Sequence, residues 1–202
     1  MNIIPPASRL NFVASARSAF DFVTKPPYSL WLVAQDEGRV TYASVDLGLV
    51  ILHDRLSYEL DLAVWRESVE AEVAHPYTMV DLVRVADPDR VRSYRQFSAT
   101  TDAAVERRLT GLESDFRRFG LHAISGSREF FERMGQLRSQ AATEFGAELE
   151  ERQVRESAAR AWRDRDFSNV VKQYGTLGDR LSRAERARVD YARRHLGVGL
   201  EE

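Results

Sequence analysis

The chain has 202 residues, of which 44% are hydrophobic and 30% charged, and its formal net charge is −2. This composition is typical of a globular protein rather than a disordered one. It contains no cysteine, which excludes disulfides, thiolate zinc sites and a cysteine nucleophile. No apolar run approaches the roughly 20 residues of a membrane span. The first residues also lack the basic and long apolar regions of a signal peptide, so we expect a cytoplasmic protein.

The first half of the chain predicts one helix followed by several strands. Apolar residues recur at helical spacing after Ser8, a candidate N-cap, until Pro26-Pro27 stops the pattern. Strand-forming runs follow on either side of a turn signal at Asp36-Glu37-Gly38. The predicted elements are a helix at 8–23, strands at 28–35 and 39–46, an apolar run at 47–54 that periodicity does not assign, and an alternating strand at 56–65.

The second half of the chain predicts helices almost throughout. Thr78 and Asp81 have the spacing of a capping box for a short helix to Ala86. A stripe from Val105 to Phe119 predicts a helix with Gly120 at its C′ position. Beyond these, we predict a long helix from Ser125-Gly126-Ser127 to about residue 164, a short helix around 170–177, and a last helix that Ser182 and Glu185 cap.

These elements together predict an α+β fold. An N-terminal helix and a small antiparallel sheet, covered by helix on one face, precede a predominantly helical second half. We expect a core domain at 1–149 and a helical hairpin at 150–202, which either packs on the core or projects from it. The hairpin resembles one tetratricopeptide unit, although solenoids need about three such units to be stable alone.

One polar cluster is a candidate metal site. Glu59 and Asp61 share a face of their predicted strand, because strand side chains repeat every second residue, and His53 and Asp54 lie nearby in sequence. Carboxylates and imidazole can hold a divalent metal, so a metal-dependent hydrolase or nuclease is one hypothesis. The alternative interpretation, a solvated sheet face and turn, agrees better with the usual exposure of charged residues.

Motifs of catalysis and cofactor binding are absent. Gly-x-Ser-x-Gly, the Walker loop and Gly-x-Gly-x-x-Gly do not occur. The only lysines are Lys25 and Lys172, so the strand lysine of restriction-type nucleases is missing. We therefore predict no cofactor and do not expect an enzyme.

The C-terminal helices are the candidate partner-binding surface. They are rich in Arg, Trp and Tyr, which are enriched at interface hot spots. The partner is predicted to be another protein or a second copy of the chain, and nucleic acid is a further alternative because of the clustered arginines. The candidate contact residues are Trp162, Arg163, Tyr174, Arg186, Tyr191 and Arg194.

The layout resembles a loose class of bacterial α+β proteins, some of which act as immunity-type or phage-defence accessory factors. The resemblance is carried by the helix Leu109–Gly120, by the Ser-Gly-Ser and aromatic pair that follow it, and by the segments 161–174 and 183–196. It transfers no catalytic residue. The missing catalytic motifs and the helical faces rich in Arg, Trp and Tyr together favour a protein-interaction module.

Overall fold

The computed structural model describes residues 11–54, 56–66 and 76–197. It confirms the α+β class, with an N-terminal helix, a small antiparallel sheet and a mostly helical second half. The helices are α1 (Phe12–Ala19), α2 (Met79–Ala86), α3 (Asp102–Phe119), α4 (Leu121–Ile124), α5 (Arg128–Arg163), α6 (Phe167–Gly175) and α7 (Arg183–His195). The strands are β1 (Trp31–Asp36), β2 (Arg39–Ala43), β3 (Leu47–His53), β4 (Glu59–Arg66), β5 (Tyr77–Thr78) and β6 (Phe97–Ser98).

The sheet has the order β1-β2-β3-β4-β5, and β6 also pairs with β4. All pairings are antiparallel. The unassigned run at 47–54 contains β3, which pairs along its length with β4. Gly48 belongs inside this strand for a steric reason, because a Cβ there would lie 1.9 Å from the ring of Trp65.

The chain divides into two compact units, residues 1–138 and 139–202. The boundary expected from the sequence, at 149/150, lies within α5, the helix that contributes residues to both units. Each unit has its own apolar cluster.

The core of the first unit lies between the sheet and two helices. α1 and α3 pack on one another, α1 also packs on β2, and α3 packs on β4. Apolar residues of α3 recur every three or four positions, so that they form one buried stripe against the sheet. The buried contributors include Phe12, Ala16 and Phe20 of the N-terminal segment, Val105, Leu109, Leu112 and Phe116 of α3, and Leu60, Leu62 and Val64 of β4.

Helix ends follow the capping signals. Capping boxes form between Thr78 and Asp81 at α2 and between Ser182 and Glu185 at α7, as predicted. The first helix is shorter than expected, because only Phe12–Ala19 is α-helical and a 3₁₀ turn occupies Asp21–Thr24. Its predicted cap, Ser8, lies outside the described residues.

The core of the second unit is formed by the end of α5 with α6 and α7. Its buried residues are Ala158, Ala161, Val170, Tyr174, Leu177, Val189 and Ala192. Arg155 of α5 makes hydrogen bonds to α7 and to the segment that precedes α7. Its Nε donates to Glu185 at 2.9 Å, its guanidinium also pairs with Glu151, and a terminal nitrogen donates to the Arg180 carbonyl at 2.8 Å. The same guanidinium holds the pKa of Glu151 below its ordinary value.

Candidate functional site

The four residues of the predicted metal cluster line one groove of about 560 Å³, but the side chains of His53 and Asp61 point to different faces of the sheet. In the β3–β4 register, His53 is opposite Leu60, and Leu52 is opposite Asp61. Directly opposed residues of antiparallel strands point to the same face. His53 therefore lies on the core face with Leu60, whereas Asp61 lies on the other face with Leu52.

His53 is a core residue. Its side chain is 2% exposed, and its ring centroid lies 5.5 Å from that of Phe12. Nε2 lies 3.0 Å from the Ala99 carbonyl oxygen, and since a carbonyl only accepts, Nε2 carries the hydrogen. Nδ1 is buried without a hydrogen-bond partner among the described residues. This histidine fixes the end of β3 to the segment that precedes α3.

Asp54 organises the loop between β3 and β4. One carboxylate oxygen accepts hydrogen bonds from the backbone N–H groups of Leu56 at 2.8 Å and Ser57 at 2.7 Å, and from the Ser57 hydroxyl at 3.0 Å. These hydrogen bonds lower the pKa of Asp54, because they stabilise the charged form. The Asp54 carboxylate therefore stabilises its own turn through these hydrogen bonds.

Asp61 is a partly buried anchor. It accepts from the Leu62 backbone N–H at 2.7 Å and from Gln96 Nε2 at 3.1 Å. Burial nevertheless raises its pKa, because desolvation disfavours the charged carboxylate. Glu59, by contrast, is exposed.

The metal site therefore stays a prediction that the arrangement of these side chains does not favour. Alternation placed Glu59 and Asp61 on one face, but the strand register places His53 on the opposite one. Asp54 points its carboxylate into its own turn. Within 11–54, 56–66 and 76–197, no three or more His, Asp or Glu side chains are placed to hold a metal ion.

An aromatic cluster lies at the surface of the second unit. It consists of Trp162 of α5, Phe167 of α6, and Tyr191 and His195 of α7. The Phe167 and His195 rings stack at 4.8 Å, and Trp162 meets Tyr191 edge-on at 5.4 Å. His195 Nε2 lies 2.8 Å from the Tyr191 hydroxyl. Tyr191 remains 43% exposed, so this aromatic cluster is a solvent-facing feature.

One arginine lies against the aromatic cluster, and others are exposed on the same helices. The Arg188 guanidinium lies 5.8 Å from the centre of the Trp162 ring. Arg163 and Arg194 are exposed, and Arg194 Nε donates to the Asp190 carbonyl of its own helix at 3.3 Å. Arg186 is also exposed, and its Nε donates to the Leu181 carbonyl at 3.0 Å.

The set of candidate contact residues loses one member and gains two. Tyr174 is a core residue, only 1% exposed, so it does not belong to a binding surface. Phe167 and His195 are not among the candidates from the sequence, yet both complete the aromatic cluster. The signal that could have found His195 is its position one helical turn after Tyr191, since residues four apart are neighbours on a helix.

Comparisons with known proteins give this chain no relatives. No family model matches it, and neither the curated proteins nor the solved structures contain a match. No helix in the described part of the chain is long and apolar enough to cross a membrane.

Proposed function

We propose that this chain is a protein-interaction module whose aromatic cluster binds an acidic segment of another protein. The observation that carries the proposal is the meeting of four rings from three helices at the surface, where Tyr191 and His195 are exposed and Arg188 lies over Trp162. Aromatic side chains and arginine dominate interface hot spots. A cluster that a core within the same unit already supports is also ordered before a partner arrives, which lowers the entropic cost of binding.

Charge defines the chemistry of the partner. Residues 158–197 contain ten arginines and lysines against five carboxylates, a net charge of +5 in a chain whose total is −2. An acidic partner segment would be steered toward such a surface and would pair with Arg163, Arg188 and Arg194. An apolar or aromatic side chain in the same segment would pack against Tyr191.

The ring geometry favours protein over nucleic acid. Base recognition in single strands needs exposed aromatic faces on which bases stack. Here the rings pack against one another: Phe167 stacks on His195, and its centroid lies 5.7 Å from that of Tyr191. The exposed parts of Tyr191 and His195 and the exposed guanidinium groups of Arg163 and Arg194 remain for a partner.

The immunity-type or phage-defence role is one form that such a module could take. It depends on the resemblance of the sequence alone. The metal-dependent hydrolase is the less favoured alternative, because the His53 and Asp61 side chains point to opposite faces of the sheet.

Comparative affinity capture tests the proposal. The wild-type chain and two variants, Tyr191→Ala and Arg194→Glu, are used as baits, and captured proteins are quantified by mass spectrometry. Arg183→Ala is the matched control, because Arg183 is exposed at the opposite end of α7. We expect a protein that the wild type and the control retain and both cluster variants lose.

Calorimetry with the purified captured protein then measures the affinity. We expect each cluster variant to weaken binding at least about tenfold, as hot-spot truncations do. Equal affinities for wild type and both variants would contradict the proposal. So would tight, steeply salt-dependent binding of a single-stranded oligonucleotide that Tyr191→Ala abolishes.

A further inference from the structure

The first unit has a groove on the helix-covered face of its sheet. Its described walls are α1, the 3₁₀ turn that follows α1, and the strands β1 and β2, and its volume is about 580 Å³. Small-molecule sites in proteins typically have volumes of about 300–1,000 Å³. The groove therefore has room for a compact organic molecule.

Tyr42 of β2 contributes a polar group to this groove. Its side chain is 2% exposed and belongs to the apolar core, yet it also lines the groove. Its hydroxyl makes no hydrogen bond with the described residues. Among those residues, the side-chain polar atom that is sealed in the interior without a partner is His53 Nδ1, so the Tyr42 hydroxyl opens onto the groove. Burial raises the pKa of Tyr42 above its ordinary value, and the hydroxyl therefore keeps its proton at neutral pH and can donate a hydrogen bond.

Arg17 of α1 supplies a positive charge beside this hydroxyl. It is exposed, makes no ion pair or hydrogen bond with the described residues, and lies close enough to Tyr42 for its charge to lower the pKa of the phenol. Asp21 also lines the groove, but it pairs with Lys25, so its charge is compensated whereas that of Arg17 is not. Ser18 adds a second hydroxyl to the same wall. The groove thus brings together one guanidinium and two hydroxyl donors.

Apolar side chains complete the groove. Leu32 of β1 is paired with Tyr42 and therefore points to the same face of the sheet. Ala14 lies one helical turn before Ser18 on α1. We propose that the groove binds a small organic carboxylate, whose oxygens accept hydrogen bonds from Arg17, Ser18 and Tyr42. The apolar body of this ligand contacts Leu32 and Ala14.

The charges of the groove favour a ligand with a single negative charge. One uncompensated guanidinium matches one carboxylate, and hydrogen bonds between charged partners are stronger than those between neutral ones. A phosphate monoester carries nearly two negative charges at neutral pH, and the second charge would lie near Asp21. This site is separate from the partner-binding function proposed above and does not depend on it.

A titration with phenylacetate, followed by NMR amide chemical shifts, tests the site. Phenylacetate carries one carboxylate on an apolar ring, and a ligand of about ten heavy atoms binds with a dissociation constant of about 1–10 mM. We expect saturable shifts in α1, β1 and β2. Phenylacetamide, the neutral analogue, should bind at least about fivefold more weakly, because it lacks the charge that pairs with Arg17. Tighter binding of inorganic phosphate than of phenylacetate would overturn the assignment to a carboxylate.

Two variants test which side chains hold the carboxylate. Arg17→Gln removes the charge and Tyr42→Phe removes only the hydroxyl, so each should raise the dissociation constant for phenylacetate at least about fivefold. Arg39→Gln is the matched control, because Arg39 is also exposed on β2 but lies three residues from Tyr42 and therefore on the opposite face of the sheet.

The control should bind phenylacetate as the wild type does. Absence of saturable shifts up to about 50 mM phenylacetate, well above the expected dissociation constant, overturns the proposal. Equal affinities of the wild type and either groove variant also overturn it. Circular dichroism confirms that each variant is folded.

Discussion

Two aspartates on neighbouring segments show how surroundings decide what a carboxylate contributes. Asp54 is exposed and accepts three hydrogen bonds in its turn, so its pKa is lowered. Burial of Asp61 raises its pKa in spite of hydrogen bonds from the backbone N–H groups of Leu62 and Met79 and from the Gln96 side chain. The same residue type therefore stabilises the fold in opposite pH ranges.

We expect the Asp61→Asn variant to gain free energy of unfolding relative to the wild type as pH rises. A raised folded-state pKa means that the fold favours the neutral carboxyl, a contribution present at acid pH and lost as pH rises above the ordinary carboxyl pKa of about 4. Asparagine keeps a neutral side chain at every pH, and the Gln96 amide can turn to accept from it. Urea unfolding at about pH 4 and about pH 8 should show the variant gaining on the wild type.

Asp54→Asn supplies the control of opposite sign. The lowered pKa of Asp54 contributes stability above the unfolded-state pKa, and that contribution is lost as pH falls. The Asp54→Asn variant should therefore be less stable than the wild type at about pH 8, and the deficit should shrink toward about pH 3. A parallel pH dependence for the two variants would show that the assigned pKa directions are wrong.

The limits of sequence reasoning at the residue scale are visible at His53. Alternation correctly predicts that Leu60, Leu62 and Val64 share a buried face. It does not reveal that β3 and β4 pair His53 with Leu60, because register is a property of two strands and their connection. Once that register is known, the side chains of His53 and Asp61 are seen to point to opposite faces of the sheet.

At the scale of the element, caps and periodic stripes are sufficient to predict the helices. The two capping boxes and the α3 stripe act through local hydrogen bonds and one-face burial, so sequence spacing encodes them directly. Periodicity does not assign the buried strand β3, because both of its faces are covered and no alternation remains. The exposed strand β1 is predicted as a strand, but its place at the end of the described sheet follows only from the strand order.

Gly120 follows α3 as the sequence predicts, but the physical reason for a glycine there is different. The sequence predicts it after α3 as a left-handed C′ glycine, yet its φ is −110°. A Cβ there would lie 2.3 Å from the Phe116 ring, which is fully buried, and 3.1 Å from Leu82. A side chain is excluded at Gly120 because Phe116 and Leu82 approach it closely, and not because its backbone is left-handed.

Gly120→Ala is therefore expected to destabilise the chain. Overpacking a filled core costs about 1–3 kcal/mol, since Phe116 has no space into which to move. Gly146→Ala is the matched control, because nothing lies within 4 Å of a Cβ at that exposed position of α5. The control should gain about 0.5–1 kcal/mol from helix propensity. Thermal or urea unfolding that ranks the two variants in the reverse order would contradict this account.

At the scale of the whole molecule, two separate apolar clusters sit in two units of one chain. In a continuous core, the loss of stability caused by a cavity is shared by all elements. With two separate cores, we expect that loss to stay within the unit that contains the cavity. Leu109 of α3 and Leu177 after α6 are both buried, one in each cluster. They are a matched pair, because truncation to alanine removes the same atoms from each core.

Leu177→Ala is expected to lower the free energy of opening of the second unit by about 2–5 kcal/mol, the range for buried leucine truncations. Hydrogen exchange measured by mass spectrometry should then show faster exchange in α6 and α7, with β3 and β4 unchanged. Leu109→Ala should give the reciprocal pattern, with faster exchange in α3, β3 and β4 and unchanged protection in α6 and α7. Uniform loss of protection in both variants would mean that the two cores unfold as one cooperative body, because only shared stability transmits a local cavity to distant amides.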